Sequence, residues 1–304
     1  MANEIIYDST NLRASEVFNG LVWENLVDRT DLRATLMLLG DVGGSGSDTL
    51  TTPTATFSNA MAAANTDEVS ASGNTALSTG QVSLAVAHQI LKYELSDKFM
   101  ITGGPGNLNI ASLAAKMAEA YILRVTDLVC STQESFSTDV TATTTMDVNA
   151  FVDSVASLEQ AVVTGPYFAV LHNVQWTELQ SSLRSESNST MAYAPATYEQ
   201  IAIRGPGYVG QLLGVDVFSV DSVTEGGGKY NGAMYGLGAI ALVEASPRMS
   251  MPGSVAATVT PAGSPVYAEF SRTADPGLSS VIGHAFCQVG LLEDDRGCGV
   301  LSDA

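Results

Sequence analysis

Helical periodicity between residues 109 and 183, and strand-like runs crowded into the second half, predict a mixed α+β fold: helices in the first half, a sheet-rich second half. From Asn109 to Val129, the residues Ile110, Leu113, Met117, Tyr121, Val125, Leu128 and Val129 recur at steps of three and four, the stripe of an amphipathic helix. Beyond position 200, apolar runs alternate with Gly and Pro, the punctuation of short strands. The 304 residues are 45% hydrophobic and 15% charged, which supplies a core and excludes a wholly disordered chain.

Each element follows in order. Residues 11 to 39 place Phe18, Leu21, Trp23, Leu26, Leu32 and Leu36 among spaced charges, an amphipathic helix with extended pieces that needs a surface to lie against. Between Asp41 and Gly80 stand fourteen Ser or Thr, five Gly, seven Ala and four acids, with no Lys or Arg. Forty such residues make an unusually long loop, so two Thr-rich arms, Thr49 to Phe57 and Ala71 to Ser83, are expected to pair as a projecting hairpin with Met61 to Glu68 between them. An arm with so little core of its own points to burial against another subunit. The run VSLAVAHQILKYELSDKFM, Val82 to Met100, begins as an alternating strand and ends near a Ser96-Asp97 helix cap. The long helix at 109–129 follows the break at Gly103 to Gly106.

Asp147 is placed to cap a second helix reaching Val163, ended by Gly165-Pro166; Tyr167 to Leu171 reads as a strand, and Asn173 as the cap of a third helix. Ser185 to Tyr198 reads as a surface loop. Strands are expected at Gln200 to Arg204, Leu212 to Val220, Ala233 to Glu244, Val255 to Thr260, Val266 to Arg272 and Ser280 to Leu292.

Charge and motifs narrow the chemistry. Against 13 Lys and Arg stand 32 Asp and Glu, a formal net charge of -19, spread along the chain. Sequence-specific nucleic-acid binding and attachment to anionic membranes both need the opposite balance. Cys130, Cys287 and Cys298 form no CxxC pair, the amino terminus has no basic n-region, and the apolar stretch Gly232 to Ala245 is too short to span a membrane. These features give the expectation of a chain folding in a reducing cytoplasm, without disulfides, zinc or a membrane.

GPGYVG at 205–210 has the spacing of a dinucleotide loop but precedes a strand-like run, and Gly226 to Gly228 reads as a turn. His88, His172 and His284 lie in or beside apolar runs and read as core or interface histidines. Glu293, Asp294 and Asp295 read as a solvated turn. No catalytic, cofactor-binding or metal-ligating residue is therefore assigned, and no cofactor is expected.

In order, these pieces resemble a tailed-bacteriophage major capsid protein of the Hong Kong 97 type. The segment around Val17 to Leu39 resembles the family's N-arm, and Asp48 to Gly80 its extended E-loop. VSLAVAHQILKYELSDKFM and NIASLAAKMAEAYILRVTDLV are similar to the strand and spine helix of the peripheral domain. FAVLHNVQWTELQSSLR and QLLGVDVFSVDSV resemble axial-domain units, and SSVIGHAFCQVGLLEDDRGCGVLSDA the return strand and chain end.

The resemblance implies an N-arm at 1–47, an E-loop β-hairpin at 48–80, a peripheral domain with a long spine helix at 81–145 and 261–304, and an axial domain at 146–260. It implies a non-enzymatic subunit that forms hexamers and pentamers and closes an icosahedral shell around double-stranded DNA, without reading its sequence. Phe18, Trp23 and Leu26 of the N-arm, and Phe57, Met61, Asp67 and Glu68 of the E-loop, are the residues expected to carry assembly. Expected partners are further copies, a scaffolding protein, a portal and a cement protein, with assembly in the host cytoplasm and the virion as destination.

Two departures bear on mechanism. Residues 41 to 80 contain no lysine, so covalent crosslinking through the E-loop is not expected. The N-arm-like segment follows closely on Met1, so a separate scaffolding protein is expected rather than a cleaved extension. An encapsulin-like compartment shell, similar in fold, and a cytoplasmic enzyme with an unrecognised site are the alternatives.

Overall fold

The structure is a computed structural model and describes residues 18, 20–22, 24, 32–42, 47–56, 78–96, 110–142, 144–184, 193–205, 207–246, 265–273 and 277–304. Two sheets, a hairpin and four helices account for most of them. The first sheet has five strands: β1 (Met37–Asp41), β4 (Ala87–Ser96), β12 (Ile240–Glu244), β13 (Val266–Thr273) and β14 (Leu278–Leu291). The second has eight, in the order β5 (Asp139–Thr141), β15 (Gly297–Asp303), β11 (Lys229–Gly236), β6 (Tyr167–Leu171), β9 (Val215–Ser219), β8 (Tyr208–Leu212) and β7 (Tyr193–Pro195), with β10 (Glu225–Gly226) also pairing with β11. β2 (Thr49–Thr56) and β3 (Ser78–Ala85) form a two-stranded sheet of their own.

Helix α1 (Ile110–Gln133) is the expected long helix, extended by one turn at its end. Its 24 residues make a rod of roughly 36 Å. The stripe Leu113, Met117, Tyr121, Val125 and Val129 is buried, and it lies on β14, where Gly283 gives Met117 room: a Cβ there would sit 2.6 Å from the Met117 sulfur. Helix α2 (Val148–Gln160) begins as expected, with Asp147 accepting from the Ala150 amide at 2.8 Å. It ends three residues before Val163, because Val162 turns to φ +58° and the Val163 amide closes back on the Leu158 carbonyl.

Helix α3 (Asn173–Leu183) is capped by His172, not Asn173: the Val174 amide donates to His172 Nδ1 at 3.2 Å and the His172 amide to Gln175 Oε1 at 3.0 Å. Helix α4 (Tyr198–Arg204) replaces the strand expected at Gln200 to Arg204. The alternation of Ile201 and Ile203 suggested a strand, but Thr197 and Gln200 form a reciprocal capping box, and both isoleucines are exposed. Within the expected loop at 185–198, Tyr193–Pro195 is strand β7, an edge antiparallel to β8. The expected strand at Val255 to Thr260 lies outside the described residues.

The expected single run Ala233 to Glu244 is two strands in different sheets. β11 ends at Gly236, Gly238 takes φ +94°, and β12 starts at Ile240 in the other sheet. The chain crosses back between β14 and β15 beside the same place. There Leu292 N–H bonds Ala239 carbonyl at 2.8 Å and Arg296 Nη1 bonds Leu237 carbonyl at 3.2 Å, tying the crossovers together. Sheet membership thus follows long-range pairing: β5 and β15 join the eight-stranded sheet, and β12 joins the five-stranded one.

Alternation along the buried strands sorts the core. Phe168, Val170, Ala233 and Tyr235 join α1, Phe18, Val22 and one face of the five-stranded sheet in the main core. Ala169, Leu171, Met234 and Val217 point the other way, onto Phe151 and Leu158 of α2 and Trp176 and Leu179 of α3. A third, small cluster of Val42, Leu84, Ala241 and Val243 sits on the other face of the five-stranded sheet.

Candidate assembly surface

The β2–β3 hairpin pairs antiparallel from Thr49↔Ala85 to Thr56↔Ser78, with a cross-strand contact of 3.0 Å between the Thr51 and Ser83 hydroxyls. The Thr-rich arms thus pair as expected over the described residues, with the second strand running on to Ala85; residues 57–77, including the expected Met61 to Glu68 segment, lie outside them. The chain fastens the hairpin at its root. Val86 N–H bonds the Asp48 carbonyl at 2.8 Å, and Leu84 lies on Gly290 of β14 so closely that a Cβ at Gly290 would sit 2.2 Å from a Leu84 methyl carbon. Leu50, Val82 and Val86 pack partly around the same small cluster, while Thr51, Pro53, Gln81 and Ser83 are exposed. Two strands alone are marginal in water, so an arm of this composition gains stability from a further surface.

The amino-terminal segment is held to the same subunit. Phe18 and Val22 are fully buried in the main core. Farther on, Arg33 Nη2 reaches Glu244 Oε2 at 2.5 Å, and the Tyr121 hydroxyl donates to Glu244 Oε1 at 2.6 Å. Glu244 is only 6% exposed, so this bridge joins the segment, β12 and α1 through one buried carboxylate. Burial, followed by the neighbouring Glu244 charge, pushes the Tyr121 phenol well above its ordinary value. Of the residues expected to carry assembly, Phe18 thus makes its contacts inside its own chain; Trp23, Leu26, Phe57, Met61, Asp67 and Glu68 lie outside the described residues.

A second exposed feature escaped the sequence reading. Helix α4 presents Tyr198, 88% exposed, and Ile203, 70% exposed. Arg204 pins it to the sheet through an ion pair with the buried Asp216 and lies 4.8 Å over the Tyr208 ring. The Thr197-x-x-Gln200 capping pattern was the signal that could have revealed this helix.

Most of the histidines, cysteines and acidic turn residues singled out in the sequence are held by contacts within the fold. His172 accepts the α3 amide on Nδ1, while Nε2 lies 3.5 Å from Asp221 Oδ1, so neither nitrogen is left for a nucleophile. His88 Nε2 and His284 Nδ1 bond each other at 3.0 Å. The three cysteines are buried, and burial pushes Cys130 and Cys298 up to about 12 and Cys287 to about 11, which keeps them as thiols. Asp294 accepts the Ser137 amide at 2.9 Å and Glu293 pairs with Arg296, consistent with the expected turn. Among the described residues, no three His, Cys, Asp or Glu side chains gather as a metal site, and no helix is long and apolar enough to cross a membrane.

Of the GPGYVG glycines, Gly205 ends α4 at φ +91°, and Gly210 packs against β7, where a Cβ would lie 2.4 Å from the Ala194 carbonyl oxygen. Gly227 and Gly228, at φ +63° and +75°, make the turn between β10 and β11.

No family model and no curated protein matches the chain. Solved structures do. The capsid of Ralstonia phage GP4 is similar at 9% identity, over 91% of this chain and 92% of that one, with a TM-score of 0.61. A structure from Mycobacterium phage Che8 is similar at 14% identity, over 90% of this chain and 91% of that one, with a TM-score of 0.59. The holo-SrpI encapsulin complex from Synechococcus elongatus PCC 7942 is similar at 11% identity, over 89% and 87%, with a TM-score of 0.58. Likeness extending over about nine tenths of both chains is a likeness of whole architecture: the chain has the Hong Kong 97 type capsid fold.

Proposed function

We propose that this chain is the major capsid protein of a tailed bacteriophage, forming hexamers and pentamers that close an icosahedral shell around packaged double-stranded DNA. The observation that carries this reading is the β2–β3 hairpin, rooted on a Hong Kong 97 type fold by Leu84 and Val86 while its Thr- and Ser-rich strands stand outside both main sheets. In this reading the hairpin lies over a neighbour, with Phe57, Met61, Asp67 and Glu68 as its contacts. Trp23 and Leu26 make further contacts from the amino-terminal segment, which Phe18 anchors. The five-stranded sheet with α1 is proposed as the peripheral domain and the eight-stranded sheet with α2 and α3 as the axial domain, an assignment that moves β5 and β15 out of the expected peripheral spans 81–145 and 261–304 and β12 out of the expected axial span 146–260.

Scaffolding, portal and cement proteins are the proposed partners, and the virion, assembled in the host cytoplasm, is the proposed location. The net charge of -19 fits a container that holds DNA by confinement and repulsion, with the acidic surplus facing the lumen. A strongly basic inner wall would contradict that placement.

Deleting Asp48 to Gly80 tests the proposal. The shortened chain should stay folded, because the deletion removes interface rather than core, and should form no stable shells. Global unfolding on deletion, or shells that form unchanged, would contradict it. The contents of purified particles separate the viral reading from an encapsulin-like compartment: nuclease-protected DNA supports the first, a single recurrent enzyme cargo the second.

A further inference from the structure

The face of the five-stranded sheet turned away from α1 carries four near-parallel rings from three adjacent strands. Tyr267 of β13 and His284 of β14 have ring centres 5.0 Å apart, His284 and His88 of β4 5.2 Å, and His88 and Phe286 of β14 4.5 Å. The two imidazoles are inclined by only 19°, and His88 Nε2 lies 3.0 Å from His284 Nδ1. Their centre separation is close to the hydrogen bond plus the two centre-to-nitrogen distances, so the nitrogens point along one line at each other. That geometry suits one shared proton. It does not suit a metal ion, whose ligand lone pairs must converge to one side.

We propose that the His88–His284 pair is a proton-sensitive joint at the root of the hairpin, closed when the pair shares one inner proton and opened by acid. The position is the reason it would matter. β3 ends at Ala85 and β4 begins at Ala87, so His88 stands at the bend where the hairpin leaves the sheet, four residues beyond the Leu84 contact with Gly290. One added proton is tolerated, because one inner nitrogen keeps its lone pair. A second places two N–H groups and two positive charges across the 3.0 Å gap.

The surroundings set the direction. On β13, Glu269 Oε2 lies 3.8 Å from His284 Nε2, and Tyr267 presents its ring. On β4, the exposed Lys92 and Glu94 pair with each other farther along the same face; besides His284, β14 places Ser280, Ile282, Phe286, Gln288 and Gly290 there, none of them charged; and Asp48 at the hairpin root accepts from the Thr49 hydroxyl. Arg124 of α1 bonds Gln89 and Glu244 bonds Tyr121, both on the opposite face. Burial lowers the His284 value below 6.5, Glu269 acts against this, and His88 lowers it again. Because the folded chain holds this proton less tightly than the unfolded one, the stabilisation is complete above that value and is lost as the pH falls below it.

The inference concerns the subunit alone and is independent of the shell reading. Its test is amide exchange, corrected for intrinsic rates, on the wild-type chain and on His88→Gln and His284→Gln. Protection at Leu84 to His88 should fall about tenfold relative to α2 between about pH 7 and about pH 5 in the wild type, and stay level in either variant. The His284 imidazole resonance should titrate at lower pH in the wild type than in His88→Gln. Equal loss of protection in all three chains, or a His284 titration unchanged in His88→Gln, would overturn the proposal.

Discussion

Among the described residues, the eight-stranded sheet is covered on both faces and the five-stranded sheet fully on one. Both faces of the larger sheet meet apolar partners, α1 and the main core on one side, α2 and α3 on the other. Among the described residues, the smaller sheet buries its α1 face along its length and its other face only beneath the hairpin root. Its other face holds the small cluster under the hairpin root and then the ring row, ending at Ile90, which is 60% exposed. Both sheets feed the main core, but only the smaller one carries the arm and an exposed apolar side chain beside the ring row.

If that division is real, substitutions should fall into two classes. Phe151→Ala, on the closed side, should cost about 3–5 kcal/mol by urea denaturation, since the ring is fully buried between α2 and the larger sheet. A cost no greater than that at Ile90 would erase the comparison.

The thiols, all on covered faces, should next separate folding from exposure. Their folded values of about 11 to 12 lie above the unfolded value of 9.0, so the stability they contribute is complete below pH 9 and is lost as the pH rises through 11 and 12. Alkylation should therefore wait for global unfolding; rapid labelling of the native chain would show that a covered face opens.

Arg33→Met should cost about 2 kcal/mol, because it leaves Glu244 buried with Tyr121 as its remaining partner, discounted for the partial exposure of Arg33. Amide exchange should then rise around 32–42 rather than in α2. Ile90→Lys should change subunit stability by less than about 0.5 kcal/mol while lowering the yield of assembled particles. A large loss of stability would mean that this face is already complete in the subunit.

Legibility followed the same division. Helices and strands of the closed side were readable because a local pattern met a local partner: the α1 stripe, the Asp147 cap, and the apolar strand Tyr167–Leu171. Where the sequence reading missed, a tertiary contact outweighed an ambiguous pattern. QIAIR alternates like a strand, yet Thr197, Gln200 and the Arg204–Asp216 pair hold it as α4. Ala233 to Glu244 reads as one apolar run, and only the turn at Gly238 divides it between sheets. The His88–His284 pairing joins residues 196 positions apart, and no local periodicity announces it. The hairpin was visible as composition, forty residues free of Lys and Arg, and its far end lies outside the described residues.

Electron microscopy of particles purified from cells producing the chain decides whether the hairpin joins subunits. Closed icosahedral shells are expected, with the β2–β3 hairpin of each subunit lying on its neighbour. A chain that stays monomeric, or shells in which the hairpin folds back onto its own subunit, would contradict it.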